Sequence, residues 1–180
     1  MKEKSDLIEQ LSVYVVWRRR ILCYIFLRKK VCNEKYIGYI KRSDIVDEDK
    51  QKCIDEAKRV CKDGGKIFFA FISNDFVFLT EFGYDINYFS NGDYDKDTFK
   101  LNDFPFVFHT VEAARNLLQK CDIDILHEVA SDGASELLAT RINEMSEEDY
   151  AQYLRYHFYI CEKPEMIGMS NHLLFVGEER

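Results

Sequence analysis

The stretch that decides the fold is "KRVCKDGGKIFFAFISND", residues 58–75. Its first half is the basic end of a helix, and Gly64-Gly65 then supply the positive-φ positions that stop a helix and turn the chain. The run "KIFFAFIS" that follows has no polar alternation, so it predicts a strand buried on both faces. A strand of that kind, entered from a helix, is expected to be a central parallel strand of an α/β sheet. Ligands in such sheets sit beyond the carboxyl ends of the strands. That rule puts Ser73, Asn74 and Asp75 at the edge of any cleft, with Asn74 and Asp75 as substrate-cleft candidates and Asp75 also readable as a helix cap.

Upstream, "SDIVDEDKQKCIDEAKRVCKDGG" carries cap candidates Ser43, Asp44 and Asp47 and acidic residues in its first turn. Cys53, Ala57, Val60 and Cys61 recur at helical spacing. Downstream, "DFVFLTEFGYDINYFSNGDYDKDTFKLNDFPFVFHT" has aromatics without clean periodicity and is broken by Gly83, Asn91-Gly92 and Pro105. It reads as an irregular excursion packed over the sheet. "TVEAARNLLQKC" is a helix with Thr110 as N-cap, and "DIDILHEVASDG" is a strand nearer the sheet edge. A short helix "SELLATRINEM" and a longer one opened by Ser146 and Asp149 precede Pro164, and "NHLLFVGEE" is the last strand. Tyr156 and His157 on the longer helix are the other cleft candidates. His157 and Asp75 are the candidates for catalysis, although His157 on its aromatic helix face reads more readily as a packed, hydrogen-bonded ring.

The 180 residues are 47% hydrophobic and 32% charged, the balance of a globular domain. Six cysteines lie without CxxC or CxxxC spacing. They predict reduced thiols of a cytoplasmic protein and no metal site. The net charge of -7 is unevenly spread: residues 1–45 hold 11 Lys/Arg against 5 Asp/Glu, a net of +6, leaving 14 against 27, a net of -13, for residues 46–180. The uncharged run Ile21–Leu27 is far short of the roughly 18 apolar residues that a membrane span needs. A basic membrane-surface or RNA-binding arm stays open for the first segment. The acidity of the rest argues against a broad basic surface, so neither a nucleic-acid partner nor a membrane span is expected.

The segment "EAKRVCKDGGKIFFAFISND" resembles the helix, Lys-Pro-Gly-Gly turn and fifth strand of class I S-adenosylmethionine-dependent methyltransferases, with Asp63 in place of the commoner proline. The ending "YLRYHFYICEKPEMIGMSNHLLFVGEE" is similar to the C-terminal part of a bacterial subgroup of those enzymes. There a Tyr-His-Phe helix (here Tyr156, His157, Phe158) and a Cys-Glu-(Arg/Lys) segment (here Cys161, Glu162, Lys163) precede the last strand. The resemblance covers residues 46–180 and leaves 1–45 as an unmatched basic segment. It implies an α/β fold: part of a Rossmann-like methyltransferase sheet with flanking helices, containing the last three of seven strands, the final one antiparallel.

The resemblance further implies S-adenosylmethionine as cofactor and a methyl acceptor of unknown identity. Its cofactor grip, an acidic-x-Gly-x-Gly-x-Gly turn after the first strand, is absent, so no cofactor-binding residue is assigned. Forty-five residues cannot supply four strands with their helices at about 25–30 residues per βα pair. The charge change falls where the resemblance begins. The expectation is a truncated or frame-disrupted gene, with residues 1–45 standing where the authentic strands would be. Two function classes follow: a methyltransferase completed by a missing half or a partner chain, or a non-catalytic interaction module. In the second class an exposed sheet edge invites self-association.

Overall fold

A computed structural model describes residues 24–27, 36–39, 47–103 and 106–180. Along the chain run strands β1 (Tyr24–Leu27) and β2 (Tyr36–Tyr39), helix α1 (Asp47–Val60), strand β3 (Ile67–Ser73), and helices α2 (Asn74–Tyr84) and α3 (Tyr88–Asn91). Then come β4 (Phe108–His109), α4 (Val111–Lys120), β5 (Ile123–Ala130), α5 (Ala139–Asn143), α6 (Glu147–Ile160), a 3₁₀ turn (Pro164–Met166) and β6 (His172–Glu179). The protein is α/β, with helices flanking a mixed sheet. The cap candidates Ser43 and Asp44 lie outside the described residues.

The strand path is β2-β1-β3-β6-β5, with β4 also pairing with β3. β6 runs antiparallel between β3 and β5, from Ile67↔Gly177 to Ile72↔His172 on one side and from Ile123↔Glu179 to Ala130↔Leu173 on the other. The expected antiparallel final strand is therefore present. The two strands before Ile45 extend the same sheet, β1 pairing antiparallel with β3 through Ile25↔Phe69, Phe26↔Phe68 and Leu27↔Ile67.

Two expectations for β3 need correction. Its only parallel neighbour among the described residues is the two-residue β4; its long neighbour, β6, is antiparallel. An apolar run reports burial and is silent on the direction of its neighbours. Nor are both faces fully buried, because burial alternates along the strand. Residues opposite one another in an antiparallel pair share a face, so Ile67, Phe69 and Phe71 join Phe175 and Leu173 on one side. Against that side pack Ile54 and Ala57 of α1 and Ala114 and Leu118 of α4. Phe68, Ala70 and Ile72 point the other way and are half-buried.

Helix ends follow local chemistry. Gly64 has φ +68° and Gly65 N–H donates to Lys62 O at 2.7 Å, which ends the α1 segment before β3. The buried stripe of α1 is Ile54 and Ala57, whereas Val60, expected on it, is exposed. Thr110 Oγ accepts from Ala113 N at 3.1 Å, and Ser146 Oγ accepts from Asp149 N at 3.1 Å, as expected of N-caps.

The stretch expected to be irregular opens instead with α2, an eleven-residue helix capped by Ser73, whose Oγ accepts from Phe76 N. Phe78 of this helix joins Tyr94 and Leu101 in a second small core, with Tyr88 and Phe108 against it. No helix among the described residues is long and apolar enough to cross a membrane.

Candidate functional site

The carboxyl ends of β3 and β5 and the start of β6 meet at one end of the sheet. Ser73 N–H donates to Asn171 O at 2.8 Å and Ser131 N–H to His172 O at 3.0 Å, so the turn before β6 is stitched between the two strand ends. The end of β3, the loop after β5 and the turn before β6 bring their polar groups together there.

Asp132, two residues past β5, is the hub. Its Oδ2 lies 2.7 Å from His172 Nδ1, its Oδ1 accepts from His172 N–H at 3.2 Å, and the Ser170 hydroxyl donates to the same oxygen. Ser170 is fully buried, and its Oγ accepts from Asp132 N at 3.2 Å and Gly133 N at 3.1 Å. The serine is thus the acceptor for the turn after β5. The carboxylate fastens that turn to β6.

Around this hub lies a second set of contacts. Glu136 accepts from Asn171 Nδ2 and from Tyr84 O–H at 3.2 Å, joining the loop after β5 to α2 and to the turn before β6. His157 on α6 has Nε2 at 3.1 Å from Ser131 O. Its ring covers Gly133, where an added Cβ would meet Nδ1 at 3.1 Å.

The electrostatics follow from this arrangement. Burial pushes the Asp132 carboxyl up, but the bond and charge of His172 and the Ser170 hydroxyl outweigh it and hold the group below the usual range. His172 is raised by its bond to Asp132, partly opposed by burial and reinforced by the charges of Asp132 and Glu136. Tyr153 on α6 is raised by burial, with the Tyr150 phenol and the Asp132 charge adding to it.

The set is not a Ser-His-Asp nucleophile. In that arrangement histidine bridges the other two so that it can take the serine proton. Here aspartate is the bridge, and Ser170 has its oxygen enclosed by backbone N–H groups. The group left facing outward is the His172 ring, whose side chain is 53% exposed.

The residues singled out from the sequence lie around this hub without composing it. Asn74 is buried and spent on structure: its Nδ2 donates to Phe99 O at 3.0 Å and to Asp75 Oδ1 at 3.0 Å, and its Oδ1 accepts from Leu101 N at 2.9 Å. Asp75 is exposed in the first turn of α2, where a carboxylate favours the helix dipole, while Ser73 makes the cap. Tyr156 is on the outer side of α6, 58% exposed. His157 alone reaches the hub, through Ser131 and Gly133.

Sequence reasoning left His172 unassigned and passed over Asp132 and Ser170. The available signal was positional: "SDG" closes one strand and "SNH" opens the next. His109 is elsewhere, packed edge-on against Phe71 at 5.0 Å between ring centroids.

The described residues do not fit S-adenosylmethionine. Gly64 and Gly65 precede β3 and so lie at its amino end, away from the cluster. The backbone of Gly133, at the proper end, is covered by the His157 ring rather than left open to a ligand. No group of three or more His, Cys, Asp or Glu side chains among the described residues could hold a metal ion. No protein-family model matches the chain, and no curated protein matches it either.

Proposed function

We propose that this chain carries the acceptor-side part of a class I S-adenosylmethionine-dependent methyltransferase fold and transfers a methyl group when a second polypeptide segment supplies the cofactor grip. The observation that carries the reading is the position of β6, antiparallel between β3 and β5, together with the Gly64-Gly65 turn that leads into β3. An antiparallel final strand is what the resemblance implies, and this supports the reading. The antiparallel β1 on the other flank of β3 and Asp63 in the glycine turn depart from that pattern.

Within such a fold this chain's own residues bind and orient the acceptor at the carboxyl ends of β3 and β5. Asn74 shapes the approach by holding the Phe99–Leu101 segment, and Glu136 ties α2 to the turn before β6. Orientation of this kind is the main contribution a protein makes to a displacement reaction.

A second reading, a non-catalytic interaction module, is favoured by the exposed apolar side chains of Phe82 near the end of α2, Ile86 in the link that follows and Phe89 in α3. Cofactor affinity separates the two. The purified chain, titrated calorimetrically with S-adenosylhomocysteine, is expected to give no heat and no rise in unfolding midpoint. The same chain in an extract of its native cells is expected to be retained on immobilised S-adenosylhomocysteine. Saturable binding by the chain alone would overturn the need for a second segment. Failure of retention from the extract would favour the interaction module.

A further inference from the structure

We propose that Asp132 and His172 form an acid–base dyad in which His172 takes a proton from a bound molecule and Asp132 is the residue that positions it. The proposal stands on the polar cluster and does not depend on methyl transfer.

The geometry assigns the roles. Asp132 Oδ2 holds Nδ1 of the ring at 2.7 Å, which fixes the tautomer with hydrogen on Nδ1 and leaves the lone pair on Nε2. Nε2 makes no hydrogen bond to the described residues, and the side chain is half-exposed. Asp132 is itself immobilised by Ser170 O–H and by His172 N–H, so the ring is held by a carboxylate that cannot swing away. This is the base-plus-orienter arrangement that makes a histidine useful for proton transfer.

When a ligand O–H or N–H lies against Nε2, the proton passes to the ring and the electron pair stays on the ligand heteroatom. The new imidazolium charge is matched by Asp132. His157 differs in two ways: its Nε2 is held by the neutral Ser131 carbonyl rather than by a carboxylate, and its Nδ1 lies over Gly133.

The surroundings select the ligand class. Asp132 and Glu136 both act on the ring, and Tyr153 of α6 feels the Asp132 charge. Among the described residues no arginine or lysine is bonded to Asp132, Ser170 or His172, so an anion would meet negative charge there without a paired cation. The ligand that suits the place is neutral or cationic: an alcohol, a phenol or an amine rather than a phosphate or carboxylate.

The test uses the intact chain and p-nitrophenyl acetate, a neutral ester whose reaction reports an accessible, correctly protonated imidazole. Nε2 attacks the carbonyl, p-nitrophenolate leaves with the bonding pair, and water then releases acetate and frees the ring. The protein-dependent rate is expected to rise as one group deprotonates, with a midpoint above 6.5, the ordinary value for histidine. His172→Gln is expected to lower it by about a hundredfold, the low end of what a positioned base contributes.

Asp132→Asn is expected to slow the reaction and move the midpoint down, a change that a purely structural bond would not produce. A rate untouched by His172→Gln overturns the proposal, as does a midpoint that stays in place with Asp132→Asn. Should Asp132→Asn fail to fold, the comparison with His172→Gln, at a half-exposed position, decides alone.

Discussion

Two parts of this molecule are equally closed to solvent and held by opposite means. Phe175, on the sheet face covered by α1 and α4, and Ser170, in the turn before β6, both have no exposed surface. Phe175 is fixed by shape: its ring stands edge-on to Phe71 at 5.6 Å and shares its face with Ile67, Phe69 and Leu173. Ser170 is fixed by direction, with two N–H groups donating to one oxygen. The apolar region tolerates change of chemistry only at constant volume. The polar one tolerates change of volume only if each buried donor keeps an acceptor.

The largest effect should come from the shape side. Phe175→Ala removes a ring from a close-packed interior, and it is expected to cost about 3–5 kcal/mol in urea unfolding with the slope unchanged. Ser170→Ala removes one oxygen but leaves the N–H groups of Asp132 and Gly133 without their acceptor. The expected cost is about 1–3 kcal/mol. If the two variants unfold at the same denaturant concentration, the turn contributes as much as the core and the contrast fails.

A finer contrast lies inside the polar end. Gly133 has φ +53° and a Cβ there would sit 3.1 Å from the His157 ring, whereas Gly168 has open space within 4 Å of its missing Cβ and needs no positive φ. Gly133→Ala is expected to cost about 1–2 kcal/mol, and Gly168→Ala to stay within about 0.5 kcal/mol of the parent. Equal costs at both would mean that His157 gives way freely and does not hold the turn after β5.

The shape-held region was the more legible from sequence because its signals are local. Thr110 and Ser146 mark helix starts by their own side chains, the glycine pair marks a turn, and the apolar runs of β3 and β6 mark strands. Where reading failed, the deciding partner was distant. Helix α2 went unseen because Phe76, Phe78 and Thr80 are buried while Leu79 and Phe82 are exposed, so apolar residues lie all around it and no polar face stands out. The parallel neighbours expected for β3 were wrong because an apolar run does not encode the direction of a partner about a hundred residues away; the antiparallel course of β6 was expected only from the family resemblance.

The candidate site was the least legible part. Asp132 is 38 residues from Ser170 and 40 from His172. Each alone is a common polar residue at a strand end. Asn74 and Asp75 were found by the rule that ligands gather at carboxyl ends, which points to the end of the sheet where Asp132, Ser170 and His172 also lie. The rule does not say which side chains there are free. Asn74 is consumed by the Phe99–Leu101 segment, and the ring left facing outward belongs to a strand that runs the other way.

The smallest effect separates the two regions by pH, since only the polar one titrates. His172 is raised by its bond to Asp132, so its contribution to stability is fully present below its unfolded value of about 6.5 and is lost as pH rises through the raised folded value. Asp132 is depressed, burial being outweighed by His172 and Ser170. Its contribution is present above its unfolded value of about 3.9 and is lost as pH falls through the lowered one. The pair therefore stabilises most between about pH 4 and about pH 6.5, and the gain fades from there through the raised His172 value. With His172 half-exposed, the difference across that window is expected to be at most about 1 kcal/mol. Thermal midpoints of the parent and of Asp132→Asn, followed from pH 4 to 9, should differ most near pH 5–6 and converge on the alkaline side as His172 loses its charge. A constant difference across the range would mean that Asp132 acts through its bonds to Ser170 and the His172 backbone, with no help from the charge on the ring.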